Sequence, residues 1–355
     1  MTSSNTSDSN TSEQLGDRFS GLQSLLTSET VLYIIKRVLQ GLLTLLLASA
    51  LSFAIIQLAP GSYLDTLSQN PKISQETVEE LKKQFGLDQP PLVQYWRWLV
   101  QVVTRFNFGT SFVYFRPVSS LLLERVPATL LLAISSFILT WAIAIPLGIL
   151  SAVKQNQLID KILRVLSYLG QGFPSFITAL ALLVLAQILS PLFPVGDMTS
   201  INHYELSPVG KILDIAWHMI LPTIALSITS FAGLQRLMRG QLLDVLRQDY
   251  IQTARAKGLS EDKVIYVHAL RNAINPLITL LGFEFAGLLS GSFIAEFFFN
   301  WPGLGRLILQ AVIAQDLYLV MGSLMMGAAM LIIGNLLADL LLKVVDPRIK
   351  LEDLK

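Results

Sequence analysis

The stretch Ala128–Val153, ATLLLAISSFILTWAIAIPLGILSAV, holds no Lys, Arg, Asp or Glu. At 1.5 Å per residue a helix of this length extends about 39 Å, more than the roughly 30 Å of a bilayer's hydrocarbon core. In that core every backbone polar group must be satisfied within the segment, which a helix does. Five further stretches share the property. Val38–Leu58, led by Lys36-Arg37, comes before it. After it come Val165–Gly196, interrupted by Gly170, Gly172 and Pro174, and Ala216–Gln235, containing Pro222. Asn272–Phe299 is broken only by Glu284 and Glu296, and Leu317–Ala338 ends at Asp339 and Lys343. The pattern predicts an all-α polytopic membrane protein with six transmembrane helices.

Composition agrees. Of 355 residues, 52% are hydrophobic and 14% charged, against about 25% charged in soluble domains. Mean hydropathy is +0.57. A soluble enzyme, a secreted domain or a disordered regulator would need more charge to cover its surface. A net charge of +1 leaves no basic excess for a general nucleic-acid binder. The chain has no cysteine, which removes disulfides, thiolate metal sites and a cysteine nucleophile. His203, His218 and His268 are far apart, with no metal-ligand spacing.

Six spans place both termini on one side. Putting that side in the cytoplasm gives inner segments 1–37, 154–164, 236–271 and 343–355 with 3, 3, 7 and 4 Lys/Arg, seventeen of the 26. The excess of positive charge inside favours this orientation. The organisation is then a tail over 1–30, a first transmembrane helix over 31–60 and an extracytoplasmic helical region over 61–127. A five-helix core follows over 128–342, including the cytoplasmic loop 236–271, and then a cytoplasmic tail over 343–355. The Ser/Thr/Asn-rich tail 1–30 is expected to be disordered and is not a signal peptide.

In the region 61–127, Ser74 can cap a helix carrying Val78, Leu81 and Phe85 on one face, with Gly86 as its stop. Pro90-Pro91 precedes a second helix bearing Tyr95, Trp96, Leu99 and Val103. Pro117 can start a third that ends before Pro127. The region reads either as a cap packed on the spans and interfacial lipid or as a docking surface for an external partner.

Loop 236–271 is the most charged inner segment. Leu242, Leu243, Leu246 and Tyr250 recur at helical spacing, and the helix is expected to run on through Thr253-Ala254-Arg255-Ala256-Lys257 to Gly258. Glycine adopts the left-handed conformation that ends helices without a Cβ clash. Ser260 is placed to cap a second helix, with Glu261 and Asp262 in its first turn. The result is a helix–Gly–helix hairpin with small residues at its tip. It suits a groove on another protein, or it simply joins two spans.

Within the spans, Glu284 is an ionisable group at depth, expensive there and a pathway candidate, or else paired. Glu296 reads as an interfacial carboxylate. Asp339 and Lys343 are spaced to pair as an anchor. Gly287 and Gly291 form a small-xxx-small pair for close helix approach, within the chain or against a partner. Gly172 and Pro174 can break a span where it lines a cavity, or only kink it. No Walker A is present: the only Gly-Lys pair, Gly210-Lys211, lacks the preceding glycine and the following Ser/Thr.

The string from Asp249 to Ser260, DYIQTARAKGLS, resembles the cytoplasmic signature of binding-protein-dependent ABC importer permeases, closest to the oligopeptide/dipeptide/nickel permease family and its B-type subunit. Gln252-Thr253-Ala254, three residues and Gly258 stand where the general motif has Glu-Ala-Ala, three residues and Gly. His268–Ala273 with Pro276, Leu58–Ser62, Phe85–Pro90, Phe106–Ser111, Glu296 with Trp301–Gly305, and Asp346–Arg348 also look like that family. The resemblance implies a type I importer permease fold in a bacterial inner membrane and ATPase coupling through Gln252, Thr253, Ala254, Arg255, Ala256, Lys257, Gly258, Leu259 and Ser260. It implies as partners a second homologous permease, two cytoplasmic ATPase subunits and an extracytoplasmic solute-binding protein. ATP and Mg would be bound by those partners, with no cofactor and no catalytic residue in this chain. Peptides are the expected cargo. An ion-coupled secondary transporter acting alone is the alternative; it would need inverted repeats and several buried carboxylates, and Glu284 is the one clear candidate.

Overall fold

The computed structural model describes residues 28–58, 61–69 and 73–345. Residues 1–27 of the tail, Ala59-Pro60 and the Asp346–Arg348 motif lie outside them. Among the described residues there are helices and no strand. Helix α1 is Ser28–Leu58. Three helices form a cap: α2 (Tyr63–Ser68), α3 (Gln75–Gln84) and α4 (Pro91–Arg105). The bundle continues with α5 (Val118–Val153), α6 (Leu158–Gly172), α7 (Ser175–Ile188) and α8 (Pro208–Leu246). Then come α9 (Asp249–Ala256), α10 (Glu261–Lys263), a π-helical turn Val264–Ala269 and α11 (Leu270–Ala273). Last are α12 (Asn275–Phe298), α13 (Leu304–Ile313) and α14 (Leu317–Val345).

Helices α1, α5, α8 and α14 are long and apolar enough to cross a membrane, and the bent pair α6–α7 passes the same test when its two halves are taken together. At 24 residues, α12 is about 36 Å long, enough to cross as well. The α6–α7 bend of 103° falls at Phe173-Pro174. Phe173 is extended, as the residue before a proline prefers, and Pro174 opens α7.

Several boundaries differ from the expectation. The helix opened by Pro117 does not stop before Pro127; it runs unbroken to Val153 through Pro127 and Pro146. Proline costs one backbone bond, and transmembrane helices tolerate that where neighbours hold the helix in place. The span around Pro222 likewise extends to 39 residues. The cap therefore closes at Pro117.

The spine is the pair α5–α8. At Gly148 a Cβ would lie 2.6 Å from Met238 Cβ, so only glycine permits this crossing. Farther along, Ser135 Oγ and Thr223 Oγ1 are 3.0 Å apart, and Ser227 Oγ donates to the Ser136 carbonyl at 3.2 Å. The α5–α6 turn is bolted to α8 by Asp160, which is fully buried. It accepts from Ser151 Oγ (2.5 Å), the Asn156 amide (2.8 Å) and Arg239 Nε and Nη2 (2.7 and 2.9 Å).

The cap follows its sequence at α3. Ser74 Oγ accepts from the Thr77 amide, and Gly86 (φ +70°) closes a Schellman turn with the Leu87 amide donating to Lys82. Helix α4 is rotated from the expected face. Gln94, Trp98 and Val102 are buried, whereas Trp96 and Val103 are exposed. Trp98 Nε1 donates to the Phe108 carbonyl at 3.0 Å. Asp316 fastens the cap to α14. It accepts from Ser111 Oγ (2.5 Å) and the Val113 amide (3.1 Å), and from the Leu319 amide (3.2 Å) in the first turn of α14. Beside α8, His203 Nδ1 and Ser200 Oγ lie 2.6 and 2.5 Å from Asp214, and His218 Nδ1 is 2.8 Å from the Asp214 carbonyl. His203 and Ser200 thus clasp their loop to α8, while the His218–Asp214 contact lies within the helix.

Candidate functional site

The expected hairpin is present, with a different build. Helix α8 ends at Leu246, Gln248 is extended, and α9 starts afresh at Asp249, so Leu242 and Tyr250 are not on one continuous helix. The second break is at Gly258, with φ +78°. Its amide donates to the Arg255 carbonyl (2.9 Å) and the Leu259 amide to Ala254 (3.4 Å). A Cβ at Gly258 would meet nothing within 4 Å, so it is the backbone conformation and not space that calls for glycine.

Ser260 stands extended at the head of α10, but its hydroxyl makes no cap bond. The π-helical turn then shifts the buried face. Val264, Ile265, Ala269 and Ala273 point inward, and Val267 is exposed. An extra residue in the turn re-aims the helix in this way.

The hairpin lies on the bundle instead of projecting freely. Ile251 and Ala254 are buried in one cluster with Ala144, Ile149 and Ala152 of α5, Met238 and Leu242 of α8, and Val264 and Ile265. Ala254 is therefore not on the presented surface; its small side chain lets α9 press on the ends of α5 and α8. Gln252, Thr253, Ala256, Lys257, Gly258 and Ser260 form the exposed edge, with Arg255 and Leu259 half-buried. Arg255 Nη2 donates to Glu261 Oε1 at 2.6 Å across the glycine turn. The guanidinium holds the Glu261 carboxyl below the usual carboxylate range. Asn272 Nδ2 donates to Tyr250 Oη at 2.8 Å, a second strap across the hairpin. A groove of about 400 Å³ borders this edge, lined by Gln155, Leu243, Arg247, Gln252, Arg255 and Glu261 among others.

The intramembrane candidates separate. Glu284 is half-buried, with the Ser230 side chain of α8 beside its carboxyl. The α6–α7 break that holds Gly172 and Pro174 runs beside the same stretch of α8: a Cβ on Gly170 would sit 3.4 Å from Ala232 and Ile228. Gly172 itself has no neighbour within Cβ reach. Gly287 is exposed with none either among the described residues, and the surroundings of Gly291 lie outside them. Close helix approaches fall instead at glycines such as Gly148 and Gly322, where a Cβ would meet Met238 and Val118 at 2.6 Å. Gly148 stands in a small-xxx-small run with Ala144 and Ala152, whereas no such spacing marks Gly322.

Glu296 is not interfacial. It is fully buried, and it accepts from Thr129 Oγ1 (2.7 Å) and the Gly305 and Arg306 amides (2.6 and 3.3 Å) at the start of α13. The side chain of Lys343, and with it the expected Asp339–Lys343 pair, lies outside the described residues. Asp339 accepts from Arg37 Nη2 (2.8 Å) and Tyr33 Oη (2.6 Å) of α1.

With this geometry in hand, comparison with known proteins is decisive. Residues 144–351 match the family described as binding-protein-dependent transport system inner membrane component, and residues 30–133 match its N-terminal counterpart. The chain belongs to this family. It is 40% identical over 319 residues to the oligopeptide transport system permease protein AppB of Bacillus subtilis (strain 168), covering 90% of this chain and 99% of that one. It is 39% identical over 322 residues to a putative peptide permease protein of Brucella suis biovar 1, covering 90% and 98%. With the dipeptide transport system permease protein DppB of Lactococcus lactis subsp. cremoris it shares 36% over 322 residues, covering 90% and 100%. Among solved structures it resembles the MetNI methionine ABC transporter in inward-facing form, with a TM-score of 0.52 at 15% identity, covering 64% of this chain and 97% of that one. That likeness concerns the fold: this permease has the helical architecture of ABC importer membrane subunits.

Proposed function

We propose that this permease forms half of the translocation pathway of an ATP-driven peptide importer and receives the power stroke through its α9–α10 hairpin. The cargo reading is supported by relatives named for oligopeptide and dipeptide transport. The partners are a second homologous permease, two cytoplasmic ATPase subunits that bind ATP and Mg, and an extracytoplasmic solute-binding protein. Both termini and the hairpin lie on the cytoplasmic side, where the basic residues concentrate. The cap lies outside.

The observation that carries the reading is the seating of α9. Ile251 and Ala254 are locked into the core while Gln252, Ala256, Lys257 and Gly258 face outward. A push on that edge is delivered to the ends of α5 and α8 as a rigid-body displacement, the kind that packed bundles convert into a switch between two arrangements. Glu284 and the Gly172–Pro174 break flank one stretch of α8 and are the pathway-lining elements of this half. Gly287 and Gly291 face the second permease.

The test introduces charge on the exposed edge by Ala256→Asp and, separately, Gly258→Asp, in the complete transporter reconstituted with its binding protein. The expected outcome is normal membrane insertion, loss of peptide uptake, and ATPase activity that no longer responds to loaded binding protein. Peptide-stimulated ATPase and uptake at wild-type levels in both variants would refute the coupling role. Coupled uptake of another solute class, with none of peptides, would refute the cargo.

A further inference from the structure

Helix α4 carries three distinct faces. At 100° per residue, Gln94, Tyr95, Trp98, Leu99 and Val102 share one sector. It is turned to the protein and meets Phe53 of α1 and Leu317 and Met321 of α14. Leu92, Trp96, Val100 and Val103 share a second sector and are exposed, Leu92 by 83%, Trp96 by 64% and Val103 by 69%. Arg97, Gln101 and Thr104 share the third and are also exposed, and Arg105 is exposed at the helix end. A helix at an ordinary water-facing surface has two faces, not three.

The position of α4 explains the third face. Phe53 lies five residues from the end of α1, about 8 Å along it, and Leu317 and Met321 open α14. Tyr95 reaches deeper, with its hydroxyl 3.0 Å from Ser49 Oγ and 3.4 Å from the Leu46 carbonyl. So α4 crosses the ends of two spans at the level where hydrocarbon gives way to headgroups. The neighbouring outer face of α1 is an exposed apolar stripe of Leu47, Leu51 and Ile55, which in a membrane-crossing helix faces lipid.

We propose that α4 is an in-plane interfacial helix whose Leu92, Trp96, Val100 and Val103 sector is immersed among the acyl chains of the leaflet at the cap end, with Arg97 at the level of the lipid phosphates. The occupant is phospholipid, and the arrangement matches what interfacial helices need: apolar bulk below, an aromatic at the boundary, a cation above. Long arginine side chains reach the phosphate level from a backbone seated lower. The proposal rests on the membrane placement of the bundle and is independent of the cargo.

The chain is free of cysteine, so single cysteines can be placed without background. Cysteine is introduced singly at each position from 92 to 105 and spin-labelled. The full-length chain, assembled with its partner subunits in phospholipid nanodiscs, is then probed with oxygen, which concentrates in lipid, and a water-soluble nickel chelate. The expected result is an oxygen-to-nickel accessibility ratio several-fold higher at 92, 96, 100 and 103 than at 97, 101 and 104, with both probes excluded at 94, 98 and 102. High nickel accessibility at 92, 96, 100 and 103 would overturn the proposal in favour of a water-facing cap. Exclusion of both probes there would overturn it in favour of a protein partner seated on α4.

Discussion

Glu296 has no accessible surface, and a carboxylate in that position is tolerated only with donors on its oxygens. It has Thr129 on α5 and the Gly305 and Arg306 amides at the first turn of α13, where the helix dipole also favours negative charge. This residue explains the Trp301-Pro302-Gly303-Leu304-Gly305 run that follows it. A Cβ at Gly303 would overlap the Glu296 carboxyl, and one at Gly305 would overlap the Phe293 backbone. Trp301 is buried with its Nε1 donating to the Ala128 carbonyl at 2.9 Å. A double-mutant cycle tests the arrangement. Glu296→Ala strands the buried Gly305 amide and removes the acceptor of the buried Thr129 hydroxyl, and should destabilise by about 3 kcal/mol or more. Gly303→Ala should also destabilise, because the carboxyl must move aside. In the Glu296→Ala background the added methyl has room, so Gly303→Ala should cost less there, with a coupling of roughly 0.5–3 kcal/mol. The check is apparent Tm of the four purified forms; additive losses would show that the glycine does not exist to admit the carboxylate.

At the scale of the element, the question for α9 is whether burial or the ion pair holds it. The Arg255–Glu261 pair is a third to a half exposed, and exposed pairs contribute at most about 1 kcal/mol. The low folded value of Glu261 makes its contribution present above the unfolded carboxylate value and lost as pH falls through the lower folded one. Near neutral pH it is therefore fully present, and still small. Ile251 is completely buried, and Ile→Ala truncation in a core costs about 2–5 kcal/mol. Ile251→Ala should thus detach α9, seen as rapid proteolysis at Arg255 and Lys257, whereas Glu261→Gln should leave the cleavage rate close to wild type. Equal sensitivity of the two would mean that charge, not packing, seats the hairpin. The two breaks in this element were unequally legible. Gly258 announced its turn because left-handed backbone has one cheap residue. The break at Arg247-Gln248 carries no Gly or Pro, and the apolar spacing runs straight across it; tertiary packing of Ile251 and Ala254 decides it.

Across the whole molecule, the apolar runs were legible because lipid imposes a length and a composition that single residues cannot disguise. What the runs could not show was which long helix touches which. Gly148 and Asp160 in the α5–α8 spine are single residues whose importance appears only when a distant partner, Met238 or Arg239, arrives. The same holds for Asp339. Arg37, distant in sequence, donates to its carboxylate. That contact matters because α1 is the bundle's outermost crossing and packs mainly on α14. Along their interface a Cβ at Gly41 would lie 2.9 Å from Ile332 Cγ2, and one helical turn away Arg37 and Tyr33 clamp Asp339. If this clamp sets the register of α1, charge reversal at one partner should shift or loosen the helix, and reversal at both should restore it. A cysteine pair, Gly41→Cys with Ile332→Cys, reports the register in a chain that has no other thiol. Oxidative cross-linking should be efficient alone, fall sharply with Arg37→Asp added, and recover with Arg37→Asp and Asp339→Arg together. Side-chain packing along α1 is too sparse to substitute for the clamp: Leu39, Leu42, Leu43 and Leu47 all face outward, and burial against lipid gives no preference for one register over another. Undiminished cross-linking in the single reversal would show that the Gly41 approach alone holds α1 in place.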